Sequence, residues 1–211
     1  MNSLGILVQA LGVAYATGIN LPATVAVLGI AQNRGWIGHL PAGLDAVANP
    51  WVFGIACAVY GVEFLVTLVP GLASIWETIQ SGVRPLAAAV LAAATVYHVD
   101  PAMVVPAVLL GGGLAATTHG TKLGLRYAVD ASPEPFTNAI ANLGELSTIA
   151  VVALAVWHHP YITLTLALAL LVLLIILVRR IIRTLRRLIS GDWYRAARAA
   201  ASPAPSSTAK L

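Results

Sequence analysis

Six apolar stretches of at least 18 residues follow one another along this chain of 211 residues. Only 9% of the residues are charged, whereas a soluble domain carries roughly 25%. So few charged side chains cannot cover a water-soluble globule, and the sequence therefore predicts an integral membrane protein. A cytosolic enzyme, a nucleic-acid-binding protein and a secreted disulfide-bonded domain are excluded as descriptions of the whole chain, and Cys57 is the one cysteine present.

Lipid offers no partner for bare backbone groups, so we expect α-helices throughout and an all-α membrane protein. Four of the six segments have the length that crosses a hydrocarbon core of roughly 30 Å, and the first and fourth are longer. The segments are about Ser3–Ala31, Pro50–Val69, about Ser81–Val99, Ala102–Val129, Thr137–Trp157 and Tyr161–Val178.

Segments one and four each carry a polar, helix-weakening interruption near the middle. It is Thr17–Pro22 in segment one, and Gly111–Gly113 followed by Thr117–Lys122 in segment four. Proline and glycine weaken helices, so both segments should break there. Because the two breaks hold the same rank, the chain is predicted to form two inverted three-helix halves, 1–100 and 101–178. In an alternative topology, both broken segments are re-entrant hairpins and four helices span the membrane.

The positive charge is concentrated after the last segment. Eight of the twelve Lys and Arg residues lie in 179–211, against one acid, Asp192. Residues 179–189 form a basic amphipathic pattern, predicted as a juxtamembrane helix on anionic lipid headgroups or as a topology anchor, and 190–211 as a disordered tail. Positive residues collect on the cytoplasmic side, so six spans predict both termini there, in a bacterial inner membrane. The headgroup-binding residues would be Arg179, Arg180, Arg183, Arg186 and Arg187.

Two acids lie inside apolar segments: Glu63 in segment two and Glu145 in segment five. A charge at the centre of a membrane helix costs about 2.5–3.5 kcal/mol, so such residues usually face an interior or a cavity. Both are candidates for a proton or cation site, or else for hydrogen-bonded packing between helices. The remaining candidates for a substrate or ion site are the polar residues at or beside the breaks: Thr17, Gly18, Asn20, Thr118, His119, Lys122 and Asn142.

Other features favour structural roles. The glycines Gly111–Gly113 are predicted to allow close helix packing, and Arg84-Pro85 to mark the inner start of segment three. His158 and His159 are adjacent and have no cysteine or acid nearby, so no metal site is predicted. No phosphate-binding loop, zinc-protease motif or serine-hydrolase motif is present, so we expect no enzyme and no cofactor.

The string Leu110–Arg126, followed by Asn138, Asn142 and Glu145, resembles the bacterial domain-of-unknown-function family 4126. That family pairs a triple-glycine helix with a following Asn and Glu, and its first helix has a polar break similar to Thr17–Asn20. The resemblance covers about 4–187 and implies an inner-membrane protein of unassigned activity. The family's second helix ends in a basic-x-Pro motif, and this chain has no base in the corresponding stretch.

The leading functional prediction is a small secondary transporter or permease for an unidentified solute, with proton coupling and an anionic solute as the two options that the polar residues suggest. Three alternatives stay open: a passive channel, a structural or assembly protein of the membrane, and a protein that handles lipid or isoprenoid phosphates. The expected partners are membrane lipids with anionic headgroups at the inner face, a small solute or ion, and a second copy of the chain.

Overall fold

The computed structural model describes residues 3–69, 71–130 and 135–189. It contains only helices in that part of the chain, which confirms the all-α prediction. Two short 3-10 helices, Ala42–Ala48 and Pro101–Met103, lie in the connections. The α-helices are α1 Ser3–Ile19, α2 Leu21–Asn33, α3 Pro50–Thr67, α4 Leu72–Tyr97, α5 Val104–Asp130, α6 Pro135–His158 and α7 Pro160–Ile189. The tail predicted at 190–211 and the side chain of Arg187 lie outside the described part.

Five of these helices, α3 to α7, are long and apolar enough to cross a membrane. Their outer faces carry large apolar side chains, such as Trp51 at 81% and Leu86 at 72% exposed, whereas Glu77 and Arg84 are 0% exposed. A water-soluble protein has the opposite distribution. The chain is therefore a multi-pass helical membrane protein, as the composition predicts.

Segment one forms two helices, α1 and α2, that fold back on each other. Near the start of α1, Ile6 belongs to one packed cluster with Val96 near the end of α4. Near the end of α2, a Cβ atom on Gly29 would lie 2.6 Å from the Cβ of Phe53 near the start of α3. Both positions lie at the end of the bundle where α3 begins and α4 ends. The pair α1–α2 is therefore a helical hairpin, with its turn at the buried residue Asn20.

The five spanning helices alternate in direction, so the two ends of the described chain lie at opposite ends of the bundle. At the end of the bundle where α1 begins and α2 ends, which we call the hairpin end, the Nε2 of His158 on α6 lies 3.2 Å from the carbonyl oxygen of Trp36. At the other end, a Cβ on Gly124 of α5 would lie 2.7 Å from Val178 of α7. The prediction that both termini lie on one side depended on six spans, and the side of the membrane on which each terminus lies stays a prediction.

Segment four contains no break. Helix α5 is continuous from Val104 to Asp130, so the prediction of an interruption at 118–122 is wrong. Two of the glycines serve close packing: a Cβ on Gly111 would lie 2.8 Å from that of Ala92, and one on Gly112 would lie 3.3 Å from that of Ala89. Contact between α4 and α5 compensates the weak helix propensity of glycine, and in lipid a broken backbone would lack partners. The paired breaks on which the inverted-repeat prediction depends are therefore not found.

Helix α4 begins at Leu72, about two and a half turns earlier than the predicted segment three. Pro85 lies inside this helix and does not end it. Arg84 is consequently near the middle of a spanning helix and fully buried, not at an interface. Glu77 enters the membrane with it, two turns earlier on the same helix. The prediction that Arg84-Pro85 starts the segment is wrong, and the correction brings two more charges into the interior.

Candidate functional site: a buried charge cluster at the helix break

Asn20 forms the turn of the hairpin. Its backbone is extended (φ −158°, ψ 112°), and its side-chain oxygen accepts a hydrogen bond from the backbone N–H of Ala23 at 2.9 Å, as an N-cap of α2. Its side-chain nitrogen donates to Oε1 of Glu63 on α3 at 2.5 Å. One side chain therefore both satisfies the start of α2 and holds an acid. The sequence made Asn20 a candidate for a substrate or ion site, and the structure shows the capping contact and the Glu63 contact together.

The carbonyl oxygen of Ile19, the last residue of α1, is released by the break. It accepts hydrogen bonds from Nη1 of Arg84 at 2.7 Å and from Nζ of Lys122 at 2.9 Å. The C-terminus of a helix carries a partial negative charge, so two cations there are favourable. The hairpin therefore places its α1 carboxyl end on the bases and its α2 amino end beside an acid.

Arg84 joins two acids on neighbouring helices. Its Nη2 lies 2.6 Å from Oε1 of Glu63, and its Nη1 lies 2.7 Å from Oε2 of Glu77. The same Nη1 is 3.1 Å from Nδ1 of His119. A guanidinium nitrogen only donates, so a hydrogen bond in this contact requires Nδ1 as the acceptor and the ring proton on Nε2. That nitrogen lies 3.1 Å from the carbonyl oxygen of Glu77.

Lys122 completes the arrangement from α5. Its Nζ lies 2.7 Å from Oε1 of Glu77, 2.8 Å from Oε2 of Glu145, and 3.9 Å from Oε1 of Glu63. An ammonium has three donors, and these two close acids together with the Ile19 carbonyl use all of them. We call the five residues Glu63, Glu77, Arg84, Lys122 and Glu145 the charge cluster. It holds three acidic and two basic side chains.

Burying the charge cluster inside a membrane carries a large desolvation cost. Breaking one buried pair costs about 3–5 kcal/mol, yet replacing a whole pair by apolar groups is often neutral or stabilising. Stability alone therefore does not account for five charges at this depth. Intramembrane ionisable residues commonly mark a functional site.

Arg126, one turn beyond Lys122 on α5, is 3% exposed and has a different environment. It donates to the side-chain oxygens of Asn138 at 3.3 Å and Asn142 at 3.0 Å, both on α6. Asn142 in turn donates to the hydroxyl of Thr67 on α3 at 2.9 Å. Among the side chains that the structure describes, no carboxylate lies within ion-pair distance of Arg126. Its Nε is also without a partner there.

A cavity of about 280 Å³ lies beside the charge cluster. Lys122, Arg126 and Glu145 are its charged lining residues, and most of the others are apolar. A second void of about 10 Å³ is bordered by both Glu63 and Glu145. This volume is close to what one water molecule needs, and polar groups surround it. The lining side chains of the larger cavity are Tyr15, Ile19, Thr118, Thr121, Lys122, Leu125, Arg126, Ala141, Gly144, Glu145, Thr148, Leu170, Leu171 and Leu174.

The predicted site residues fall into two groups. Those in contact with the charge cluster, Arg126 or the cavity are Asn20, Glu63, Thr118, His119, Lys122, Asn142 and Glu145. Thr17 and Gly18 serve the packing of α1. The Thr17 hydroxyl donates to the carbonyl oxygen of Val13 on its own helix at 2.8 Å, and a Cβ on Gly18 would lie 2.7 Å from the backbone oxygen of Ala115.

Three residues that the sequence did not assign to the site are Glu77, Arg84 and Arg126. Glu77 and Arg84 are seven residues apart, and this spacing puts both on one face of a helix. That spacing could have placed Glu77 beside Arg84 in the site. It was missed because the hydropathy pattern made segment three begin after Glu77. The described arginines of the basic stretch, Arg179, Arg180, Arg183 and Arg186, are exposed on the last turns of α7. In the described ranges no three His, Cys, Asp or Glu residues are grouped to hold a metal ion.

Fold and site together define a class: a small polytopic helical membrane protein with an internal ion-pair network. The family model described as Domain of unknown function (DUF4126) matches residues 7–180, and the chain belongs to that family. This confirms the resemblance seen in the triple-glycine stretch and the Asn and Glu residues that follow it. No curated protein and no solved structure shows significant similarity to the chain.

Proposed function

We propose that this chain is a small secondary transporter or permease for an anionic solute in a bacterial inner membrane. The observation that carries the proposal is the charge cluster: it sits on a helix break inside the membrane and borders a cavity through Lys122 and Glu145. Broken helices whose ends face charged groups are a recurrent design of secondary transporters. For a purely structural role, apolar packing would give equal or greater stability than buried ion pairs.

The pair Lys122–Glu145 is the part of the charge cluster that can exchange partners. The side chain of Glu145 is 21% exposed, whereas that of Glu77, the other close acid on Lys122, is 0% exposed. An anion entering the cavity competes with Glu145 for Lys122. A carboxylate that loses its cation in a low-dielectric site favours its protonated form. Anion binding and proton uptake by Glu145 are thereby coupled, one proton for one negative charge.

The small void between Glu63 and Glu145 supports a proton path through the interior. One water there would lie between the exchangeable acid and an acid held by Arg84. Tyr60 also borders this void, and its hydroxyl lacks a partner among the described residues. Proton exchange with the other side of the membrane would run along this line.

The transport proposal is tested in proteoliposomes that enclose a pH-sensitive dye. Adding a series of small organic anions outside should acidify the interior for those that are carried, because a proton enters with each anion. The exchange is electroneutral, so clamping the membrane potential should leave the rate unchanged. In Glu145→Gln, we expect anion-driven acidification to fall at least tenfold.

Asp45→Asn removes an exposed acid of the connection between α2 and α3 and is the matched control, with the parent rate expected. Anion flux without proton movement, carried equally by Glu145→Gln, would instead indicate a passive channel. No flux for any anion, together with normal stability of the variant, would favour the structural alternative.

The proposed orientation follows from the arginines at the end of α7. Positive residues mark the cytoplasmic side, so α7 would end inside, while the hairpin end and the start of α1 would face outward. In spheroplasts carrying a Cys57→Ser background, an impermeant thiol reagent should label Ser3→Cys and Gly38→Cys. Arg186→Cys should react only after permeabilisation. Labelling of Gly38→Cys with protection of Ser3→Cys would show that segment one crosses the membrane after all.

A further inference from the structure

We propose that the cavity beside Arg126 binds an amphiphilic monoanion: a carboxylate or phosphate monoester head on a short hydrocarbon body. This names the substrate class of the proposed transporter and so rests on that function. The head would bind Arg126 and face Lys122, and the body would lie along the apolar wall. Neither free inorganic anions nor neutral hydrocarbons would satisfy both parts of this site.

The argument for an anionic head begins with the donors of Arg126. A guanidinium has five N–H groups, and two of its three nitrogens donate here, each to an amide oxygen of α6. Nε is without a partner in the described part of the chain, although Arg126 is only 3% exposed. A planar fork of this kind binds carboxylate or phosphate through two parallel hydrogen bonds.

The charge of the lining points the same way. Among the cavity's charged lining residues, Lys122 is already paired with Glu77 and Glu145. Arg126 has no carboxylate within ion-pair distance among the described side chains, so its guanidinium is the positive charge that can attract an anion into this low-dielectric pocket. A bound monoanion would pair with it.

The argument for a hydrocarbon body comes from the wall opposite the charges. It is formed by Leu125 on α5, Ala141 on α6, and three leucines of α7. The volume of about 280 Å³ is at the lower end of the roughly 300–1,000 Å³ that small-molecule pockets have. Such a cavity suits a short chain, and octanoate is the probe for it; the acyl chains of a membrane lipid are longer.

Binding is measured by equilibrium dialysis of the protein in nanodiscs of zwitterionic lipid, with protein-free nanodiscs as the blank. Octanoate and hexyl phosphate should bind, and octanol should bind at least tenfold more weakly. Affinity should rise about fourfold for each methylene added to a carboxylate, the equivalent of ~0.8 kcal/mol, and should level off near eight carbons. Equal binding of octanol and octanoate would overturn the proposal.

A variant that fills the hydrocarbon half separates this site from a change in folding. Gly144 lines the cavity, and a Cβ there meets no atom within 4 Å, so Gly144→Leu should fold and lower octanoate affinity at least tenfold. Gly120→Leu is the matched control, since Gly120 is equally open on α5 but does not line the cavity. Equal affinity in the two variants would overturn the assignment of the body.

Arg126→Gln should lower octanoate affinity ten- to a hundredfold, whereas Arg126→Lys, which keeps the charge, should lower it less. Asp130→Asn removes the acid one turn further along the sequence and is expected to leave affinity unchanged. If Asp130→Asn raises affinity as much as Arg126→Gln lowers it, the guanidinium is already paired in the free protein and the assignment of the head fails.

Two further results distinguish the sources of the anion and the two proposals. Adding phosphatidic acid to the nanodiscs should leave octanoate binding unchanged; complete displacement at a few mole percent would make a lipid headgroup the occupant and overturn the small-ligand assignment. Octanoate binding with no proton-linked flux in proteoliposomes would refute the transporter and leave the binding site standing. Proton-linked flux of other anions without octanoate binding would refute the binding site and leave the transporter standing.

Discussion

Replacing Arg84 by methionine is expected to destabilise the folded protein by about 3–5 kcal/mol, the largest loss for a single side chain in this structure. Arg84 is fully buried and is the nearest cation to Glu63, and it shares Glu77 with Lys122. Methionine fills a similar volume, so the effect would come from two acids that lose their partner and not from a cavity. Thermal unfolding in detergent, followed by fluorescence-detected size exclusion, measures it.

The double variant Arg84→Met with Glu63→Gln should recover a large part of that loss, because the acid that is left without a close cation is then neutral. Glu77 would still be held by Lys122. Arg34→Met, at an exposed arginine that follows α2, is the control and should change stability by less than about 0.5 kcal/mol. If Arg84→Met is as stable as the parent, or if the double variant is no better than the single one, the ion pairs do not form as described.

The spanning helices and the two acids could be predicted because each depends on one segment alone. Length and hydropathy are sufficient to find a helix such as α3 or α6. An acid inside such a helix, Glu63 or Glu145, is conspicuous because it is rare there. The family could be recognised for the same reason, since its motif is contiguous from Leu110 to Arg126 and in the residues that follow.

The hairpin and the continuity of α5 could not be predicted in the same way, because they depend on what lies opposite. A stretch with glycine, asparagine and proline breaks a helix only if the freed groups find partners. Ile19 finds Arg84 and Lys122, which lie 65 and 103 residues away. The glycines of α5 meet small alanines on α4 instead, so that helix gains contact by staying regular. Local sequence does not distinguish these outcomes.

Only part of the charge cluster could be predicted from the sequence, for a related reason. Hydropathy penalises every charge as though it faced lipid, so the stretch containing Glu77 was placed outside the membrane and Arg84 at its border. Pairing removes most of that penalty. Once Arg84 contacts Glu63 and Glu77, a helix that looks too polar to span can be buried at that point. A window average cannot represent a charge whose partner lies on another helix.

Asn20→Ala is expected to destabilise the protein by about 2–4 kcal/mol, well beyond the usual cost of a lost helix cap. A lost N-cap costs about 1 kcal/mol. Here the same side chain also donates to Glu63 inside the membrane at 2.5 Å, and a hydrogen bond to a charged group is worth about 1.5–3 kcal/mol. Loss of the Asn20 side chain therefore removes one hydrogen-bond partner from the N–H of Ala23 and one from the carboxylate of Glu63.

Asn49 offers a control with the same residue type in the same local role. It is the N-cap of α3, with its side-chain oxygen 2.9 Å from the N–H of Trp51, and it is exposed. Asn49→Ala should cost about 1 kcal/mol or less, and the excess in Asn20→Ala measures the contact to Glu63. In a Glu63→Gln background that excess should shrink, because the acceptor is then neutral. Equal losses in Asn20→Ala and Asn49→Ala would mean that the break is only capped, and that the hairpin is not tied to the charge cluster through this residue.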